Sequence, residues 1–254
     1  MKAMIFAAGR GDRMRPLTDT CPKPLLPAGG KPLIVWQIEA LARAGLTDIV
    51  INHAWLGERI EAALGDGSRY GVRLAYSAEG TALETAGGIA RAMPLLTDDG
   101  RDGVFLAVSG DIFCDYDYRA LLPRAAAMAA QAQPHMHLVM VPNPPFHPAG
   151  DFVLAADGGL HLPGAETVPA GGVPLTFGNI GLYDTRLFRE IEAGRKVAMT
   201  PYYRAAIAAG TATGERFDGQ WENVGTPAQL AALDAALGAR PPSPPGAMPH
   251  ASRG

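Results

Sequence analysis

From Ala7 the chain reads Ala-Ala-Gly-Arg-Gly-Asp-Arg-Met-Arg-Pro-Leu-Thr and then, a few residues on, Pro22-Lys23-Pro24-Leu25-Leu26-Pro27. Gly9 and Gly11 lack Cβ atoms, so successive backbone N–H groups can converge on an anion there. Arg13, Arg15 and Lys23 add fixed positive charge around that cradle. Arginine suits bidentate contacts with phosphate oxygens, and lysine acts as a compact point charge. Phosphoryl or nucleotidyl transfer needs both, because charge on the reacting phosphorus group must be neutralised while the protein does little covalent chemistry. Ala8, Gly9, Gly11, Asp12, Arg13 and Lys23 are therefore candidate contacts of a nucleotide's phosphates. A dinucleotide fingerprint would place a third glycine at position 14, where Met14 stands, and the Gly-Lys-Ser/Thr close of a P-loop is absent.

A loop of this kind needs a rigid strand behind it. Ala3 to Ala8 is an apolar run that reads as a buried strand. Pro32 opens a helix with Ile34, Ile38 and Leu41 on one face, closed at Gly45; Asp48–His53 follows as a second strand. Helix Trp55–Leu64, strand Val72–Ser77, helix Thr85–Met93 and strand Val104–Ser109 continue the alternation. This pattern predicts an α/β fold: a Rossmann-like, mainly parallel sheet with helices on both faces and ligands at the carboxyl ends of the strands. Gly9 to Arg13, Asn52-His53, Ser77 to Gly80 and Ser109 to Asp111 then share one rim. After Pro142 the regularity fades. Segments around Phe152–Leu154 and Leu160–Leu162 suggest an antiparallel hairpin, with helices near Thr185–Glu192, Pro201–Ala209 and Pro227–Leu237. A single domain over 1–238 is expected, followed by a disordered Pro-rich tail over 239–254.

The 254 residues suffice for one large, well-buried α/β domain, and a net charge of -3 gives no general attraction to nucleic acid. No apolar stretch approaches the ~20 residues that span a bilayer, and Met4 to Ala8 is too short for a signal peptide. A soluble, cytoplasmic protein is the expectation. Cys21 and Cys114 lack metal-ligand spacing and read as packing residues. His135 and His137 would share a strand face without a third ligand, so they read as strand residues rather than a zinc site.

With the loop, the segments Asn52-His53-Ala54-Trp55-Leu56-Gly57, Leu83-Glu84-Thr85-Ala86-Gly87-Gly88, Ser109-Gly110-Asp111, Asn179-Ile180-Gly181 and Trp221-Glu222-Asn223-Val224-Gly225-Thr226 occur in this order. The chain thereby resembles the sugar-1-phosphate nucleotidyltransferases, across about residues 1–238. The Asn-His-Ala-Trp-Leu-Gly and Leu-Glu-Thr segments look most like the branch that uridylylates N-acetylmuramate 1-phosphate in peptidoglycan sugar recycling. The resemblance implies a nucleotide-diphospho-sugar transferase fold, with a nucleotide-binding part over about 1–115 and a small antiparallel sugar-binding insertion within about 116–238.

It also implies roles. The phosphate of a sugar 1-phosphate would attack the α-phosphorus of UTP, giving UDP-sugar and pyrophosphate. Arg13 would stabilise the triphosphate and leaving group, Lys23 the charge near the α-phosphate, and Asp111 would hold Mg²⁺. The second metal position departs from the family pattern: an aspartate is usual in the Trp-x-Asp-x-Gly-Thr segment, and Asn223 stands here. Asp218 is a possible substitute, whereas Glu222 would point to the opposite face of an extended segment. Ser109 is a second departure, where asparagine is favoured before Gly-Asp.

Base recognition is expected from Glu79, Gly80, Thr85 and Gly88, with close helix packing an open alternative for Gly87-Gly88. Glu79 could accept the ring N–H of uracil, and would match the paired donors of guanine even better. Ser109, Asp151, Thr176 and Asn179 are the candidate sugar contacts, with a turn role open for Asp151. A mannose-1-phosphate guanylyltransferase would use the same loop. A nucleotide-sugar-binding regulatory protein would explain Asn223 and Ser109 departing together. The oligomeric state is not legible.

Overall fold

The computed structural model describes residues 1–165 and 168–239. The tail expected over 239–254 therefore lies, apart from Ala239, outside the described residues. Strands run β1 (Ala3–Ala7), β2 (Pro27–Ala28), β3 (Lys31–Pro32), β4 (Asp48–His53), β5 (Arg73–Ala78), β6 (Val104–Ser109) and β7 (Ile112–Cys114). They continue as β8 (Met136–Val141), β9 (Phe152–Leu154), β10 (Leu160–His161), β11 (Val173–Asp184), β12 (Ala212–Arg216) and β13 (Trp221–Asn223). The helices are α1 (Leu17–Thr20), α2 (Leu33–Arg43), α3 (Gly57–Leu64), α4 (Glu84–Leu96), α5 (Leu121–Ala129), α6 (Thr200–Ala208) and α7 (Pro227–Gly238).

Nine strands form one sheet in the order β10-β9-β11-β6-β1-β4-β5, with β8 paired to β11 and β12. β1, β4, β5 and β6 are mutually parallel, and β11 runs antiparallel to β6. Register sets Ala7 opposite His53, His53 opposite Ala78 and Phe6 opposite Ser109, so the four loops that follow leave from one rim. That is the rim the alternating sequence pattern predicts.

Alternation along β1 explains why both faces are covered. Ile5 packs with Ile34, Ile38 and Leu41 of α2 and with Ile60 of α3, whereas Met4 packs with Ala86 and Ile89 of α4 and Met199 at the start of α6. A third cluster joins Met14 and Leu33 to Phe113, Val224, Leu230, Leu233 and Leu237, clamping α7 onto the loop after β1.

Three sequence expectations change. Helix α4 runs through Pro94 to Leu96, closed by the Thr97 N–H and hydroxyl, which both donate to Met93 O at 3.0 Å. The helix expected over Thr185–Glu192 is only a 3₁₀ turn, Thr185–Phe188. There Asp184 accepts from the Arg186 backbone and holds its guanidinium, whose other N–H groups reach the carbonyls of Gln131, Ala132 and Gln133; local side-chain bonding replaces helical bonding. His135 precedes β8 rather than lying in it, while His137 is buried and bonded to Thr213 and Glu215.

Gly57 begins α3 against His53: a Cβ at Gly57 would lie 1.9 Å from His53 Nδ1. Gly57→Ala should lower stability by about 2–3 kcal/mol, or roughly 5–10 °C in Tm for a domain of this size. Thermal unfolding checks this, and an unshifted transition would contradict the close packing.

Candidate active site

The loop after β1 is held by its own polar groups. Gly11 adopts φ 73°, Thr18 Oγ1 donates to its carbonyl at 2.8 Å, and Met14 N–H donates to the same carbonyl at 2.9 Å. A Cβ at Gly11 would meet Thr18 Cγ2 at 3.0 Å and Lys23 Cβ at 3.2 Å, so glycine is needed for both conformation and space. Gly9 has no protein atom within 4 Å of a built Cβ, which leaves its face open to a ligand. The Asn-His-Ala-Trp-Leu-Gly segment supports the loop from the next strand: Trp55 Nε1 donates to Thr18 O at 2.9 Å, and the Arg10 guanidinium lies over its ring at 4.5 Å.

This loop forms one wall of a cavity of about 630 Å³. Of the residues expected to meet the nucleotide, Ala8, Gly9, Gly11, Asp12, Arg13, Lys23, Glu79, Thr85 and Asp111 line it, together with Ser109, expected at the sugar. The Arg13 guanidinium makes no hydrogen bond or ion pair among the described residues. Asp12 pairs instead with Arg10, at 3.2 Å. Lys23, nearly buried, pairs with Asp111, whose carboxylate stands just past the end of β6.

Gly80 and Gly88 do not line this cavity. Gly80 turns the chain after β5 with φ 73°. Gly88 gives close packing, the alternative left open by the sequence: a Cβ there would meet Glu79 Oε1 at 2.5 Å and Asn52 Nδ2 at 2.8 Å, and one at Gly87 would meet Arg195 O at 2.3 Å. Glu79 is itself committed inward. Its Oε1 accepts from Asn52 Nδ2 at 2.6 Å and its Oε2 from Leu83 N–H at 2.8 Å, while Asn52 Oδ1 accepts from Ala7 N–H at 3.1 Å. Asn52 thus ties β1 to β5 through one amide.

The cavity continues along the sheet. A middle cavity of about 440 Å³ shares Phe6, Glu84, Thr85 and Ser109 with the first. It shares Phe177, Asn179, Thr200 and Tyr203 with a far one of about 600 Å³. Asp151, Thr176 and Asn179 line the far cavity, as does Asn223, while Ser109, the remaining candidate sugar contact, lines the first and middle cavities. Asn179 reaches it through a bulge: the β11–β8 register shifts between Phe177 and Gly181, and Asn179 takes φ 57°, a left-handed conformation asparagine tolerates. Its amide has no hydrogen bond among the described residues. Thr176 Oγ1 is spent on Asn143 Oδ1 at 2.9 Å.

β13 pairs with β7, and Val224 N–H donates to Asp111 O at 3.2 Å, so the two segments are backbone neighbours, while the Asp111 side chain lines the first cavity and that of Asn223 the far one. Asp111 and Asn223 offer one carboxylate and one amide oxygen, donor types that suit a hard cation drawing its remaining oxygens from phosphates and water. No cluster of three or more His, Cys, Asp or Glu side chains able to hold a metal occurs among the described residues. Asp218 is not a substitute ligand: it lines none of these cavities and pairs with Arg216 at 2.8 Å.

Sequence reasoning missed Asn52, Lys196 and Gly225 on the phosphate side and His147, Arg204 and Trp221 on the far side. Lys196 pairs loosely with Glu84 at 3.6 Å, and Glu84 takes φ 60° at the start of α4. Asn52, Trp221 and Gly225 carried a signal, since all three belong to segments that already stood out and Asn52 also falls on the predicted rim.

Comparison with known proteins places this groove. Residues 2–147 match the family described as Nucleotidyl transferase. The chain is 48% identical over 242 residues to the N-acetylmuramate alpha-1-phosphate uridylyltransferase of Neisseria meningitidis serogroup B, covering 94% of this chain and 99% of that one. It is 43% identical over 122 residues to a mannose-1-phosphate guanyltransferase of Aspergillus fumigatus, covering 48% of this chain and 33% of the other. Among solved structures, a Bacillus anthracis protein described as a glucose-1-phosphate thymidylyltransferase superposes with a TM-score of 0.76 at 20% identity, over 96% of this chain and 98% of its own. HddC from Yersinia pseudotuberculosis, complexed with GMP-PN, gives 0.73 at 15% over 93% and 99%. These two likenesses establish the nucleotide-diphospho-sugar transferase fold. Among the described residues, no helix is long and apolar enough to cross a membrane.

Burial raises the Glu79 carboxyl above its ordinary value of 4.5, against the lowering by its bonds to Leu83 and Asn52. The folded chain therefore holds this proton more tightly than the unfolded one, and the stability this contributes is lost as pH rises through the raised value. Glu79→Gln removes that dependence, so its stability relative to the unsubstituted protein should climb from about pH 4 to about pH 7. Urea unfolding across that range checks it, and a pH-independent difference would contradict the direction of the shift.

Proposed function

Because the chain belongs to the nucleotidyl transferase family, we propose that it transfers UMP from UTP to N-acetylmuramate 1-phosphate, releasing pyrophosphate. The observation that carries this reading is the continuous groove, in which a phosphate-gripping loop at one end meets a wall of aromatic and short polar side chains at the other, with Lys23 and Asp111 near the junction. The full-length likeness to the Neisseria enzyme supports the choice of substrates.

A phosphate monoester is a sufficient nucleophile. An oxygen of the sugar phosphate attacks the α-phosphorus in line; a new P–O bond forms as the bond to the β-phosphate oxygen breaks. Gly9 and Gly11 present the loop backbone to the phosphates, and Arg13, unpaired in the structure, meets the charge that accumulates on the departing pyrophosphate. Lys23 turns from Asp111 toward the α-phosphate. Asp111 and the Asn223 amide oxygen would hold Mg²⁺, which when bound supplies further charge neutralisation at the phosphates. Orientation in the groove supplies much of the remaining rate. A chain doing this chemistry works in the cytoplasm, where nucleoside triphosphates are found, in the recycling of peptidoglycan sugars.

Pyrophosphate release should occur with UTP and N-acetylmuramate 1-phosphate, and be weak with GTP or with mannose 1-phosphate. Silence across a panel of nucleotides and sugar phosphates, despite measurable nucleotide binding, would overturn the reading in favour of a binding protein. Lys23→Ala should cut kcat by about 100-fold or more, and it should still fold, since the orphaned Asp111 side chain keeps 29% of its surface exposed. Asn223→Asp should lower the Mg²⁺ concentration for half-maximal activity by about tenfold, through the added ligand charge. An unchanged Mg²⁺ titration would remove Asn223 from the metal site.

A further inference from the structure

The far cavity contains a cation that no described residue pairs with. Arg204, on the exposed side of α6, lines that cavity and makes no hydrogen bond or ion pair among the described residues. Other arginines of this half are paired, Arg186 with Asp184, Arg189 with Asp102 and Arg216 with Asp218, while Arg195 is without such a partner among the described residues but lines none of the three cavities. Along the groove only Arg13 is an arginine in the same condition, and it faces the phosphate loop.

The cavity's own carboxylate does not answer Arg204. Asp151 Oδ1 accepts from His147 Nε2 at 3.1 Å and its Oδ2 from Phe177 N–H at 2.8 Å, so both oxygens are matched locally. Asn179 and Asn223 add polarity without charge, and Phe177, Tyr203 and Trp221 supply apolar wall. The charges of Asp151 and Arg204 balance formally across the lining, but no carboxylate among the described residues is bonded to Arg204, and its guanidinium fork is left open to a ligand. The 1-phosphate cannot satisfy it, because that group must sit toward Lys23, across the middle cavity. The missing partner is a second anion, carried by the sugar itself, and a planar carboxylate suits the guanidinium fork.

We propose that Arg204 is a specificity-determining residue that selects sugar 1-phosphates bearing a carboxylate substituent, a role that rests on the uridylyl-transfer reading above. N-acetylmuramate has such a group on its lactyl ether, and N-acetylglucosamine is the same sugar without it. Unpaired and in contact with water, Arg204 costs little to carry; a substrate lacking the carboxylate forgoes a charge-assisted bond that its competitor makes.

The test compares N-acetylmuramate 1-phosphate with N-acetylglucosamine 1-phosphate, with UTP and Mg²⁺, in the unsubstituted protein, Arg204→Ala and Arg204→Lys. The unsubstituted protein should favour the carboxylate sugar by about tenfold or more in kcat/KM. Arg204→Ala should bring the ratio near one, chiefly through KM for the carboxylate sugar, and Arg204→Lys should restore part of it. Equal use of both sugars by the unsubstituted protein, or a ratio unmoved by Arg204→Ala, overturns the proposal. Calorimetric binding of the two sugar phosphates separates it from the reading beneath: no preference in binding overturns the role of Arg204 alone. A preference that Arg204→Ala abolishes, without pyrophosphate release, supports Arg204 and overturns the transferase reading. Thermal unfolding verifies that both variants are folded, as expected for substitutions at an exposed helix position.

Discussion

Lys23, with only 10% of its side chain exposed, faces a carboxylate brought in from a distant part of the chain. Lys23 comes from the segment after the phosphate loop and Asp111 from the turn after β6, so their pairing joins the two sides of the groove. Removing both charges from water is costly, and the attraction between them offsets that only in close geometry. The fold supplies the geometry. β1 and β6 are adjacent and parallel with Phe6 opposite Ser109, which places the loop after one strand beside the turn after the other. A triphosphate entering there would find a lysine and a carboxylate already held side by side, with the exchange of the lysine from one anion to the other as the local rearrangement.

Around that pair the protein is rigid where backbones meet and open where a ligand must come. Gly57, Gly87 and Gly88 allow helices to lie against His53, Arg195 and the Asn52–Glu79 bond with no room for a Cβ. Met14, fully buried, pins the loop into the cluster of α7, and Trp55 holds it from the β4 side. Gly9, by contrast, faces empty space. The glycines in one short region therefore serve opposite ends: some admit protein atoms and one leaves room for a ligand.

The central sheet was legible because its strands are continuous apolar runs between charged or glycine-rich turns. Asp48–His53 and Val104–Ser109 fall where the pattern sets them, and with them the rim that gathers the phosphate residues. Strand β11 was not legible, since Gly178, Asn179 and Gly181 interrupt any two-residue period, and the interruption is the bulge that brings Asn179 into the groove. The same limit applies to Glu79 and Gly88. Each reads from sequence as a base contact, with packing left open for Gly88, and their packing against Asn52 and one another is a contact between three elements that no local pattern records. Lys196 comes from a loop and Arg204 from a helix that the sequence did place, but which side of that helix meets the groove is set by the packing of α6 on the sheet.

The distribution of charge along the groove gives the remaining logic. Arg13 stands unpaired at the phosphate end, Lys23 and Asp111 cancel near the middle, and Arg204 stands unpaired at the far end. A neutral sugar phosphate would leave the far cation idle. A sugar with an anion at each end would meet a cation at each end, with the mutually neutralised pair close to where its phosphate must react. Asn223 fits the same scheme: a neutral amide on the wall shared with Arg204 holds less negative charge against an anionic sugar than aspartate would. If Asn223 also helps hold the cation, a weaker grip before the nucleotide arrives would be balanced by weaker repulsion of the second substrate, both from one uncharged side chain in the far cavity.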